Sequence, residues 1–157
     1  MKIPKRILVP TDLSVSSLEA LRYAEDLADP IDTEIVILHA IDQKNTSAAA
    51  EGGRKELEIR KRLIQQLTKS KMIRRDLKIE LTWTSAVGSI LEAIKRLDVD
   101  LIVMATHGRT GLSHTLLGSV AEEVVRYSSV PVLIVKFHGQ QSKALCEEDI
   151  QNHLHLN

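Results

Sequence analysis

Five short runs rich in β-branched and aliphatic residues recur along this chain: Arg6–Val9, Glu34–Ala40, Leu77–Thr84, Leu101–Ala105 and Val132–Lys136. Each is too short for a free-standing helix. Between them lie segments whose apolar residues fall at helical spacing. These are Val15, Leu18, Leu21, Ala24 and Ala28; then Ile59, Leu63 and Leu67; then Ile90, Leu91, Ile94 and Leu97; and last Val120, Val124 and Tyr127. The resulting order is β-α-β-α-β-α-β-α-β. Runs such as Ile35-Val-Ile-Leu38 and Leu101-Ile-Val-Met104 are apolar on both faces, as strands of a parallel sheet covered by helices on each side must be. The sequence thus predicts a single doubly wound α/β domain.

Composition agrees. The 157 residues include 48 Leu, Ile and Val against four aromatics, which describes an aliphatic core rather than an aromatic stacking surface. At this length one fold buries roughly 70% of the surface exposed by the unfolded chain, so no disulfide or metal staple is required. Cys146 stands alone, and the start Met1–Arg6 leads into a strand without an apolar leader segment. A cytoplasmic protein is expected. No apolar run approaches the roughly 20 residues that span a bilayer, so no membrane segment is expected either.

Charge is balanced, with 21 basic and 21 acidic side chains, but unevenly placed. From Arg54 to Arg75 nine basic residues face only Glu56 and Glu58. The favoured meaning is a solvated helix face, since no aromatic residues interleave to stack on nucleic acid. The stretch Asn45–Gly53 reads as a mobile connection into the second helix. Residues 138–157 read as a surface-lying or disordered tail beyond a domain of residues 1–137, with a hint that its acidic Glu147-Glu-Asp149 docks on the basic helix.

In open parallel sheets ligands settle beyond the carboxyl ends of the strands, where the winding reverses. The first such edge is Val9-Pro-Thr-Asp-Leu-Ser14, which puts Asp12 where it either caps a helix or meets a ribose hydroxyl or a phosphate-held metal. Another is Met104-Ala-Thr-His-Gly-Arg-Thr-Gly-Leu-Ser113, followed by Leu117-Gly-Ser-Val-Ala121. Glycine turns and a helix start supply the backbone N–H groups that bind a phosphate, with Arg109, Thr110 and Ser119 as supplements. Walker A, the dinucleotide Gly-x-Gly-x-x-Gly and the Gly-x-Ser-x-Gly elbow are all absent. A receiver-type phosphoacceptor Asp is missing after the third strand, which reads Thr82-Trp-Thr-Ser85. His107 reads as a structural hydrogen bonder and His39 as a satisfied core histidine. His114, His138, His153 and His155 lack metal-ligand spacing, so no metal site of the chain's own is expected.

The element order, with Ile7-Leu-Val-Pro-Thr-Asp-Leu-Ser14, Leu38-His-Ala-Ile-Asp42, Asp100-Leu-Ile-Val-Met-Ala-Thr-His-Gly-Arg-Thr-Gly-Leu112 and Leu116-Leu-Gly-Ser-Val-Ala-Glu122, resembles the universal stress protein family over residues 1 to 137. The ATP-binding branch of that family carries Gly, two residues, Gly, nine residues, then Gly-[Ser/Thr]. Gly108 and Gly118-Ser119 match this spacing, and Ala105 replaces the first glycine. The resemblance implies an adenine-nucleotide alpha-hydrolase-like sheet of order 3-2-1-4-5. It implies that Pro10, Thr11 and Asp12 line the nucleoside side, that Ala40 offers backbone groups to adenine, and that Met104 and Ala105 sit at the ribose. Gly108, Gly118, Ser119 and Val120 would wrap the phosphates of ATP or AMP, with Mg only as their counter-ion. The methyl of Ala105 is expected to weaken binding without abolishing it.

The expected function is a nucleotide-dependent stress-response regulator that binds rather than turns over its ligand. With no evident general base, ATP hydrolysis or phosphorylation of Ser113 or Ser119 would at most be slow. The alternative is an interaction module of the same fold that binds no nucleotide. Val130–Lys136 would form an uncovered sheet edge, which in the resembling family pairs with its twin, so a homodimer is expected alongside an unidentified regulatory protein partner.

Overall fold

The computed structural model describes residues 3–41, 49–71, 77–106 and 117–136. Five parallel strands, β1 (Arg6–Pro10), β2 (Glu34–Ala40), β3 (Lys78–Thr82), β4 (Leu101–Ala105) and β5 (Val132–Val135), form one sheet of order β3-β2-β1-β4-β5. Four helices connect them: α1 (Val15–Ala28), α2 (Ala49–Lys69), α3 (Ala86–Arg96) and α4 (Ser119–Tyr127). The doubly wound architecture and the strand order are those expected from the sequence.

The period of two along each strand sorts the core into two layers. Ile7, Val9, Ile35, Ile37 and Val103 face α1 and α2, against Ala20, Leu21, Ala24, Leu63 and Leu67. Leu8, Val36, Leu38, Ile102 and Met104 face α3 and α4, against Ile90, Ala93, Ile94, Ala121 and Val124. The winding therefore changes face between β1 and β4, and their carboxyl ends diverge there. β1 and β4 pair only through Ile7–Leu101 and Leu8–Ile102.

The opposite, amino-terminal edge is tied by polar contacts. Asp100 Oδ2 accepts the N–H groups of Lys5 and Arg6 at 2.8 and 3.2 Å. The Arg6 guanidinium donates to Glu34 Oε2 and to the Leu97 carbonyl at the end of α3.

Three local readings differ from expectation. Residues 49–53 belong to α2 rather than to a connection: Gly52 and Gly53 are helical, and the Trp83 ring packs 3.6 Å from where a Gly52 Cβ would lie. Val15 is 63% exposed, because α1 buries Ser16, Ser17, Ala20, Leu21, Ala24 and Ala28 instead. β3 stops at Thr82, where the Ser89 hydroxyl lies 2.7 Å from both Thr82 Oγ1 and Thr84 Oγ1 and fastens the strand end to α3. The tail 138–157 and Cys146 lie outside the described residues. Among those residues, no helix is long and apolar enough to cross a membrane.

Candidate functional site

The gap opened by the change of face is a cavity of about 500 Å3 at the carboxyl edge of the sheet. Its floor comes from strand ends: Pro10 of β1, Leu38 to Ile41 at β2, and Met104 to Thr106 at β4.

On one side the turn Thr11–Ser14 passes from β1 into α1, and local sequence dictates its shape. Asp12 Oδ1 accepts the Ser14 N–H at 3.0 Å, closing an Asx turn. Ser14, not Asp12, caps α1, accepting the Ser17 N–H at 3.3 Å. Between them Leu13 takes a left-handed φ of 65°, a conformation that costs a non-glycine residue about 1 kcal/mol or more. Three contacts hold it: Leu13 N–H donates to Thr11 Oγ1, its carbonyl accepts Gln66 Nε2 from α2, and its side chain joins the core. The strained turn presents the half-buried Asp12 carboxylate at the cavity wall.

Thr11 also lines the cavity, but its polar groups are already engaged. Its N–H donates to Leu38 O, its hydroxyl meets Ser17 Oγ at 2.8 Å, and its carbonyl accepts from His39 Nδ1 at 2.8 Å. Thr11 is thus framework for Asp12. His39 is hydrogen-bonded as expected, but it is half-buried at the cavity wall rather than within the core. Ala40 pairs with Thr82 of β3 on one side, while the β1 ladder ends two residues earlier at Pro10–Leu38. The edge of Ala40 toward β1 therefore has no ladder partner.

Across the cavity α4 begins at Gly118, whose φ of −69° and ψ of 155° are extended rather than left-handed. The value of glycine here is the missing side chain. α1 and α3 are capped by Ser14 and Ser85, whereas α4 has no side-chain cap. Its first N–H groups, with the partial positive charge of the helix start, lie where Gly118, Ser119, Val120 and Ala121 line the cavity. The Gly118 N–H donates to the Thr106 carbonyl at 2.7 Å, and Thr106 N–H to Val135 O, so the departing and returning chain meet at the sheet edge.

Ala105 ends β4 in extended conformation, paired with Val135, and is absent from the residues of positive φ. Its methyl packs with Val103 and Leu133 toward α1 and α2. A methyl at this position imposes no backbone strain.

Of the residues singled out from sequence, Pro10, Thr11, Asp12, Ala40, Met104, Ala105, Gly118, Ser119 and Val120 all line this one cavity. Gly108 and Arg109, with His107, Thr110 and Ser113, lie outside the described residues. The wall that sequence reasoning missed is α2, which contributes Lys55, Glu58, Ile59 and Arg62. Their spacing of three, four and seven about the buried Ile59 was the available signal. Among the described residues, no group of three His, Cys, Asp or Glu side chains is placed to hold a metal ion.

Comparison with known proteins agrees with this architecture. The model of the universal stress protein family matches residues 4–136. The chain is 36% identical over 139 residues to universal stress protein MJ0531 of Methanocaldococcus jannaschii, covering 84% of this chain and 82% of that one. It is 32% identical over 154 residues to MJ0577 of the same organism, covering 84% and 94%. Among solved structures, a universal stress protein in complex with cAMP superposes with a TM-score of 0.65 at 25% identity, covering 85% of this chain and 98% of that one. A sheet that changes face between β1 and β4, a cleft built at that point and a family match spanning every strand lead to one conclusion: the chain belongs to the universal stress protein family.

Proposed function

We propose that the cleft binds an adenine nucleotide, ATP or AMP with Mg as counter-ion of the phosphates, and that the protein works as a nucleotide-dependent stress-response regulator in the cytoplasm. The observation that carries this reading is the pairing, across one cavity, of the Asp12 carboxylate with the uncapped start of α4. A carboxylate accepts ribose hydroxyls, and a helix start with glycine at its cap receives phosphate. Ala40 supplies a backbone edge for the base, and Met104 and Ala105 an apolar floor for the sugar. The relative solved with cAMP supports the ligand class.

Binding rather than turnover is the expected behaviour. Hydrolysis, if measured, is slow. The nucleotide-free interaction module rested on Ala105; the extended backbone there removes the strain argument for it.

The active unit is proposed to be a homodimer joined along β5, one of the two edges of the sheet, which would expose a regulatory partner surface that responds to occupancy. The experiment is mass detection of small molecules released on denaturing freshly purified protein, followed by titration of the emptied protein with Mg-ATP and with AMP. An adenine nucleotide released, or rebound at micromolar concentration, is the expected result. A protein that is empty and ignores both ligands overturns the reading.

A further inference from the structure

The basic character of α2 is not evenly spread. Arg60 turns away from the cleft and donates to the Ile79 carbonyl of β3 at 3.3 Å. Lys55 and Arg62, two helical turns apart, face the cavity on either side of Glu58. Gln66, one turn beyond Arg62 on the same face, donates to the Leu13 carbonyl, which sets this stretch of α2 beside the Asp12 turn. Lys55 is half-buried, and its Nζ lies 5.9 Å from the centre of the Trp83 ring. Glu58 and Arg62 are exposed, and no ion pair joins them among the described residues.

We infer that Lys55 and Arg62 form a second, cationic wall of the cleft that discriminates ligands by phosphate number, favouring a nucleoside triphosphate over the monophosphate. The inference rests on the adenine-nucleotide reading and adds residues outside the Asp12 and Gly118 elements. The start of α4 offers N–H groups enough for one phosphate. The added charge of a longer phosphate chain, offset only in part by Mg, is held more tightly where further cations stand nearby. Long, flexible stems let an ammonium and a guanidinium reach several ångströms into the cavity, and guanidinium matches phosphate oxygens two at a time. Glu58, between them, opposes the same charge and limits the preference.

Trp83 gives the inference its own signal. Its Nε1 donates to Glu56 Oε1 at 2.7 Å and fixes the ring against α2, while the Lys55 ammonium lies over its face. A phosphate that draws Lys55 into the cleft removes a cation from the chain's only indole, so emission changes with ATP and not with AMP.

The test is calorimetric titration of full-length protein with Mg-ATP and AMP, at low and moderate salt, with Trp83 emission recorded in parallel. The expected wild-type ratio favours ATP by roughly tenfold or more, declining as salt rises. Lys55→Gln with Arg62→Gln brings the ratio close to unity, Glu58→Gln raises it by roughly threefold, and Lys55→Met abolishes the emission response to ATP. Opposite shifts from neighbouring variants are not a consequence of unfolding, which circular dichroism checks independently. Equal affinity for ATP and AMP, or a ratio that all three charge variants leave unchanged, overturns the inference while the nucleotide reading stands. Failure of both ligands to bind overturns the nucleotide reading itself and the inference with it.

Discussion

Asp12 and Ala105 show how little of a residue's role is fixed by its type. Asp12 spends Oδ1 on the Ser14 N–H and still faces the cavity. Asp12→Asn keeps an acceptor for that N–H but removes the charge. It should weaken nucleotide binding by about tenfold while leaving stability within about 0.5 kcal/mol, measured by titration and urea unfolding. Ala105, the one departure from the family's glycine spacing, has extended backbone and a methyl packed in the core layer. Ala105→Gly should therefore change nucleotide affinity by less than about threefold and lower stability by about 0.5–1 kcal/mol, the ordinary cost of glycine within a strand. An order-of-magnitude gain in affinity would show instead that the methyl narrows the pocket.

Among the elements, α2 departs most from its sequence reading. Gly53 is exposed and helical, with nothing within 4 Å of where a Cβ would stand. Gly53→Ala should stabilise the protein by about 0.5–1 kcal/mol in thermal or chemical unfolding. The same glycines explain why the start of α2 was illegible: Ala, Gly and Ser in series carry the local signature of a connection, and only the Trp83 ring and the buried Ile59, Leu63 and Leu67 reveal the helix. The strands, by contrast, were legible to within a residue or two at their ends, because β1, β2 and β4 are buried on both faces and leave short β-branched apolar runs bounded by turn residues. The Asp12 and Gly118 walls were legible because the chemistry follows directly on a strand end or opens a helix. Lys55, Glu58 and Arg62 were harder to read, since Ile59, Leu63 and Leu67 fix the buried face of α2 but only a tertiary contact such as Gln66 to Leu13, 53 residues apart, shows which flank borders the cleft.

For the whole molecule the open question of scale is the β5 edge. Ile102 N–H donates to Pro131 O and Thr106 N–H to Val135 O, so the odd-numbered residues of this segment point their backbone toward β4. Alternation then directs the backbone groups of Val132 and Ile134 outward, available to a second copy. The wild type should sediment as a dimer at micromolar concentration. Val132→Pro, which deletes an outward N–H at the first residue of the strand, should shift it toward monomer with the parallel sheet retained in circular dichroism. A wild-type monomer would rule out this assembly.

The hydrogen bond from Gly118 N–H to Thr106 O has a further meaning for how such a molecule can be altered. It ties the end of β4 directly to the start of α4, so the sheet and this helix are registered to each other at that point. Because closure entropy grows only slowly with length, doubling a connection adds about 0.6 kcal/mol. The connection between Thr106 and Leu117, whose side chain packs on the core, is therefore a natural place for exchange. Segments of different length and sequence spliced between Thr106 and Leu117 should retune ligand choice on an unchanged chassis, which makes this junction the place to begin when engineering new small-molecule sensors from this fold.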